Sequence, residues 1–381
     1  MGAEQSDCIA FHDLGNITDS NLLEGWFRDN ITIAMLTVVM PILFVVGLAG
    51  NMAFLFVMVR VSWMHTVTNY YLANLAVADI SFLVAAIGEK MWGYWATPIE
   101  LDTASFMGRS GCIAFNLLKL ITFFASLFLV TLVSLERFYA ICKPVQHWML
   151  SDKGRTVKLV GVCWLLALIF ACCLVPANSD IHVNCVTWPN LERFRGLSKV
   201  TATCVPSHEW MLSVSLGMQT VPFAIAMVGN ILLYIVIITN LNKRVAAKEK
   251  KQTTSRQGSA TNAPAPQTQS HKIRNTVARM LIVNGTLFFI CLAPFQFASF
   301  ANLILRELNI QTFAREHMTI ILAVCRTLTY LNSVVNPFVY TVTNKRYRHA
   351  FYVAFTFSRN EQRQRYSKNT SVVTTDMSTR M

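Results

Sequence analysis

The chain has 381 residues, 54% of them hydrophobic and only 14% charged, with a formal net charge of +13. Soluble domains carry about a quarter charged residues, so this mixture argues against a cytosolic enzyme, a disordered scaffold and a small disulfide-stapled module. The basic excess alone would suggest a nucleic-acid partner, but its placement along the chain rejects that reading.

Residues 1–30 form a polar tail with glycosylation triplets at Asn16 and Asn30 and no short apolar core with a cleavage site. Apolar stretches long enough to cross a bilayer then follow at about 31–60, 66–94, 109–142, 155–177, 209–242, 273–306 and 317–344. Four contain long charge-free runs. The second carries Asp79, the third Lys119, Glu136 and Arg137, and the seventh Arg326. In the loop after the fourth span, 183–188 and 199–205 alternate as paired strands do, which predicts a β-hairpin with Phe194 and Gly196 in its turn region. Residues 243–272 run from Lys-rich to Ser, Thr, Ala, Pro and Gln, a composition that buries no core and predicts disorder. After the last span, basic residues alternate with Tyr347, Phe351 and Phe355, predicting an amphipathic helix over 345–357 on the membrane surface; a hydroxyl-rich tail, 358–381, follows. The predicted fold is an all-α membrane protein, a seven-transmembrane helix bundle.

Cytoplasmic loops are rich in Lys and Arg. With the N-terminus outside, the inner segments hold 22 basic and four acidic residues and the outer segments eight basic and 14 acidic. The basic charge therefore lies beside anionic inner-leaflet lipids, so lipid rather than nucleic acid is the expected partner. The expected placement is multi-pass in the plasma membrane, C-terminus cytoplasmic. No internal repeat is present, which weighs against a transporter built from duplicated halves. No metal cluster, nucleophile elbow or phosphate-binding Gly loop supports an enzyme.

Gly50-Asn51 lies in the first span, Leu75-Ala-Val-Ala-Asp79 in the second, and Cys112 opens the third, which closes on Glu136-Arg137-Phe138, 25 residues from Cys112 to Arg137. Trp164, Pro222, Cys291-Leu-Ala-Pro294 and Asn336-Pro-Phe-Val-Tyr340 mark the remaining four spans. In this order the motifs resemble the rhodopsin-like (class A) G-protein-coupled receptors over about residues 31–357. The resemblance implies a receptor that activates a heterotrimeric G protein by outward movement of helix 6, and is followed by arrestin once the tail is phosphorylated.

The resemblance also implies roles for residues. Asp79 joins Ser126, Asn332, Ser333 and Asn336 around a sodium ion that favours the inactive state; no other cofactor or metal is implied. Glu136 holds Arg137 at rest beside Phe138, Val145 inserts into the G protein, and Phe288 and Tyr340 belong to the activation relay. Pro294 and Pro337 kink their helices and provide hinges. The chain departs from the family in having Arg274 where an acid often clasps the third-span arginine, Leu292 in place of a Trp and Asn230 in place of a Tyr. The family pattern joins Cys112 to the loop after the fourth span. Cys204, 18 residues before Pro222, is the favoured partner and Cys185 the alternative, while Cys8 and Cys185 either pair together or stay free.

By the same resemblance Lys119 and Arg326 face the ligand cavity, completed by Glu89, Phe295, Gln296, Ser299, Asn302, Gln219 and Tyr330. Amine receptors carry Asp in place of Lys119 and opsins Lys in place of Tyr330, so a biogenic amine and a retinal pigment are disfavoured. A buried cation without a partner is costly, so Glu89 is expected to pair with Lys119 or Arg326. The open hairpin and acidic outer surface favour a short peptide, and the chain looks nearest to the thyrotropin-releasing-hormone and neuromedin-like branch. A small organic anion is the alternative ligand and a transporter the remote one.

Overall fold

Apolar runs joined by short polar, Gly- and Pro-containing segments fold into long helices, because a backbone surrounded by lipid must satisfy its hydrogen bonds within the segment. A computed structural model describes residues 8–15, 23–146, 152–255, 266–308 and 315–356. Within these, helices α1 (Asn30–Arg60), α2 (Val67–Ala96), α3 (Gly108–Cys142) and α4 (Lys153–Leu174) are followed by α5 (Glu209–Ser255), α6 (Pro266–Glu307), α7 (Arg315–Thr343) and α8 (Lys345–Phe355). Asp29, Thr66, Asp152 and Asn344 each accept a first-turn N–H and so set the starts of α1, α2, α4 and α8. Within α1, Met35–Val39 forms a π turn just ahead of Pro41, whose ring crowds the carbonyl one turn back.

Six of these helices are long and apolar enough to cross a membrane. Of the remaining two, α8 has only 11 residues, and α7 is long enough at 29 residues but less apolar, because it carries Arg326 and the buried Asn332, Ser333 and Asn336. Polarity is inverted relative to a soluble protein. Ile42, Val45, Leu165, Ile169, Ile225 and Ile235 are exposed, whereas Asn51, Asp79, Asn332 and Asn336 are buried. Lipid around the bundle accounts for that inversion.

One boundary differs from expectation. Residues 243–255 continue α5 and 266–272 begin α6, where the sequence predicts a disordered linker. The first stretch is rich in Lys, Ala and Glu, all strong helix formers, and a span already in helical form removes the cost of nucleation. Residues 256–265, the tail from 357 onward and Asn16 lie outside the described residues.

The predicted hairpin is present as β2 (Asp180–Thr187) and β3 (Val200–Val205), antiparallel, with the left-handed Gly196 (φ 89°) in the connection. A further strand, β1 (Ala10–Asp13), pairs in parallel with β2. Two disulfides secure the sheet. Cys8–Cys185 staples the segment before β1 to β2, and Cys112–Cys204 joins β3 to the first turns of α3, with Cα atoms 5.6 and 5.8 Å apart. Trp26, Phe27, Trp188 and Phe194 stack beneath the sheet, with ring centroids 5.8–6.0 Å apart. The bundle thus has a sheet end and, opposite, an end carrying α8.

Close approach of α1 to α2 and α7 depends on Gly47. A Cβ there would lie 2.6 Å from Leu83 Cδ1 and 2.9 Å from Val334 Cγ2. Gly47→Val is expected to destabilise the bundle by about 1–3 kcal/mol through overpacking, read as a lower thermal midpoint in detergent. Gly50→Ala, with its nearest neighbour at 3.6 Å, should leave the midpoint near native. Equal midpoints for both variants would contradict this packing.

Candidate ligand cavity and switch core

A cavity of about 320 Å³ opens between α2, α3, α5, α6 and α7 in the half of the bundle nearest the sheet. Seven of the nine expected residues line it: Glu89, Lys119, Gln219, Phe295, Gln296, Arg326 and Tyr330. Ser299 and Asn302 do not. They continue the α6 face beyond Gln296, and Asn302 is exposed. The family resemblance gave their face but not the depth at which the cavity ends.

Inside it, Lys119 Nζ lies 2.6 Å from Glu89 Oε2, the partner the sequence left open between Lys119 and Arg326. The Arg326 guanidinium instead covers the Phe295 ring, 5.5 Å from its centroid. The structure adds Lys90 to the lining, a residue the sequence reading left with the outer charges. A signal for it existed, since Phe82, Ala86, Glu89 and Lys90 share one helical face.

The floor is polar. Asp79 is buried and accepts a 2.6 Å hydrogen bond from Asn336 Nδ2. Ser126, Asn332 and Ser333 line the cavity just above. The Oδ1 of Asn332 is buried without a hydrogen-bond partner among the described residues. One carboxylate and several neutral oxygens, one of them unsatisfied, form a donor set suited to a small hard cation. Asn51 braces the same level, donating to Gly47 O at 2.9 Å and to Ser333 O at 2.8 Å.

Comparison with known proteins decides the family. The model of the 7 transmembrane receptor (rhodopsin family) matches residues 50–340, most of the chain and nearly all of the bundle. The chain belongs to this receptor family. Its relatives include mouse neuromedin-U receptor 2, 29% identical over 322 residues and covering 83% of this chain and 73% of the relative. The human thyrotropin-releasing hormone receptor is 26% identical over 355 residues, 88% and 83% of the two chains. The Drosophila melanogaster pyrokinin-1 receptor is 24% identical over 371 residues, 85% and 80%. The protein is therefore a G-protein-coupled receptor and not an enzyme.

At the α8 end of the receptor, Glu136 grips Arg137 through two contacts of 2.5 and 2.7 Å, and Arg137 also donates to Thr68 Oγ1 at the start of α2. Phe138 packs on the cluster around Tyr234 and Ile237, and Val145 is exposed just beyond α3. Phe288 lies deep between α3, α5 and α6, beside Leu127, Phe223 and Leu292. Tyr340 is fully buried against Phe54 and Tyr347. Pro294 and Pro337 lie inside α6 and α7. Tyr347 of α8 turns into the bundle, its hydroxyl donating to Asn69 Oδ1, rather than into lipid as the amphipathic pattern suggests. The side chain of Arg274 falls outside the described residues.

Sequence reasoning missed Tyr234. Asn230, which stands at the family's usual Tyr, donates to Thr131 Oγ1 at 3.1 Å. One turn further along α5, the Tyr234 hydroxyl meets Ser134 Oγ at 2.8 Å and lies against Gly285 of α6, where an added Cβ would overlap it. A phenol therefore still bridges α5, α3 and α6, displaced by a turn.

Thr68→Val removes one hold on Arg137 while leaving Glu136 in place. Loss of a hydrogen bond of about 1 kcal/mol shifts a two-state equilibrium about fivefold. Basal G-protein signalling is expected to rise by that order at equal surface expression. Unchanged basal signalling would mean that Thr68 does not restrain the resting state.

Proposed function

We propose that the receptor lies in the plasma membrane with its N-terminus outside and binds a peptide that enters from the sheet end. Binding in the cavity drives outward movement of α6, and this exposes the α3 end to a heterotrimeric G protein. The cation-lined cavity beneath an antiparallel hairpin carries this reading, in a chain similar to receptors named for neuromedin U, pyrokinin and thyrotropin-releasing hormone. At about 320 Å³ the cavity is at the small end of ligand pockets. It takes one end of a peptide, and the remainder runs out along β2 and β3. Lys119, Arg326, Gln219, Gln296, Phe295 and Tyr330 are the contacts within it.

A sodium ion held by Asp79, Ser126, Asn332, Ser333 and Asn336 biases the receptor toward rest; the unsatisfied Asn332 oxygen supports this assignment. Phosphorylation of the hydroxyl-rich tail adds negative charge for arrestin, and the basic segments beside the spans meet anionic lipid. The tail and the acceptor Asn16 lie outside the described residues; Asn30, the other glycosylation acceptor, is exposed at the start of α1. A second reading, a receptor for a small organic anion, is favoured by the same cations.

The test is to record calcium and cyclic-AMP responses of cells expressing the receptor to a neuropeptide library, with small carboxylates in parallel. The expected result is a sub-micromolar peptide response that Lys119→Ala and Arg326→Ala each weaken about tenfold or more, the size of a lost charge-assisted contact. A response to small acids alone would move the receptor to the second reading.

Ion linkage gives a separate measurement. Replacing external choline by sodium should lower agonist affinity for the native receptor, because an ion that prefers the resting state opposes agonist binding reciprocally. Asp79→Asn should abolish that dependence. An Asp79→Asn receptor as sodium-sensitive as the native one would remove the ion from this site.

A further inference from the structure

The cavity is charged unevenly. Of its three lining cations, Lys119 is neutralised by Glu89 at 2.6 Å. Lys90 and Arg326 have no carboxylate within salt-bridge distance among the described residues, and Arg326 is restrained only by the face of Phe295. Between α2 and α7, on the α3 wall, a third donor faces the same space: Asn116 Nδ2 is buried without a hydrogen-bond partner among the described residues. An ammonium, a guanidinium and an amide N–H are all donors, and none of the three has a hydrogen-bond acceptor among the described residues. The Asn116 amide is shielded from water, where an unpaired donor is costly until an acceptor arrives, while the exposed Arg326 and the half-buried Lys90 add positive charge beside it. A carboxylate, acceptor-only and negatively charged, is the chemical complement of such a donor set, and a planar guanidinium presents two N–H groups to it.

The geometry points to an anion subsite formed by Lys90, Arg326 and Asn116 that receives a carboxylate of the peptide, either its free C-terminus or an acidic side chain. The subsite rests on the proposed ligand cavity and adds to it the chemical class of a group held in the half nearest the sheet, above Lys119 and Tyr330. It also gives the ligand a direction. The segments outside the spans at the sheet end carry an excess of acidic residues, so an acidic group is drawn inward and a basic one is left at the rim.

The test uses the full-length receptor in nanodiscs and affinity selection from a peptide library. Each peptide is present in matched forms, C-terminal acid or amide, and Asp and Glu or Asn and Gln. Small carboxylates such as succinate and benzoate are added as a separate probe set. Retained peptides should carry the acid and lose about 10- to 100-fold in affinity when it is neutralised, the range of a charge-assisted hydrogen bond. Loss on amidation alone identifies the C-terminus, and loss on Asp or Glu replacement alone identifies a side chain. Lys90→Gln should erase the difference between matched forms, while Lys90→Arg, which keeps the charge, should retain it. That comparison separates lost recognition from lost folding.

Peptides retained equally well in both forms would overturn the subsite while the peptide reading stands. A loss in Lys90→Gln that is the same for acid and neutral forms would do the same. Retention of small carboxylates alone, abolished in Lys90→Gln and kept in Lys90→Arg, would support the anion subsite and overturn the peptide reading. Retention of neither probe set would overturn both.

Discussion

Inside a bilayer no water is available to satisfy a polar group, so each must find its partner within the protein. The receptor meets this constraint with a buried polar column. Asn51 of α1 reaches a carbonyl of α7, Asn336 of α7 reaches Asp79 of α2, and Ser126 of α3 closes the same level from the other side. Around it the helix faces toward lipid are apolar and loosely specified. The column sets which faces turn inward, and so where the cavity above it and the switch residues below it lie. Among the described residues its own satisfaction is incomplete at Asn332 and at Asn51, whose Oδ1 atoms have no hydrogen-bond partner.

The sheet end is built as a unit with the chain that precedes α1. β1 adds to the hairpin, Cys8–Cys185 closes that addition, and Arg28 donates to Gly93 O and Thr97 O at the end of α2. Thr103 and Ala104 hydrogen-bond to Ala202 O, and the Asp102 carboxylate accepts from Ala202 N–H. The hairpin is thus held from both sides while the cavity beneath it stays accessible between α2, α5, α6 and α7. A covalently held rim lies over a cavity lined by Lys90, Lys119 and Arg326, of which only Lys119 has a carboxylate within salt-bridge distance among the described residues.

Below the column, the family's switch parts are present in altered form. Arg137 is held by Glu136 and Thr68 rather than through an acid on α6, and Tyr234 takes up the bridging position left by Asn230. Leu292 fills the site of the usual indole within an apolar cluster of phenylalanines. The first two changes keep a hydrogen bond while moving it to another residue, whereas Leu292 keeps only the apolar character of its site.

Much of this was legible in the sequence, because lipid imposes long apolar runs and any ionisable residue within them is conspicuous. The motif residues and their roles came from the family resemblance, and the spans, the membrane class and the hairpin strands followed from linear spacing. So did one face of each helix. Linear spacing carries no depth or partner, and there the reading stopped. The family resemblance put Ser299 and Asn302 on the cavity face, but only the packed bundle showed that the cavity lining stops below them. β1 is four residues long, too short to alternate visibly, so its pairing emerged only once the segments lay side by side, and that placement decided between the two alternatives left open for Cys8 and Cys185. Glu89 had two possible cations and took Lys119; Lys90, counted among the outer charges, turned inward. The sequence by itself determined which segments enter the membrane and which residues are costly there. Only the tertiary structure decided how those residues are paired, because pairing depends on distances between helices that no single helix contains.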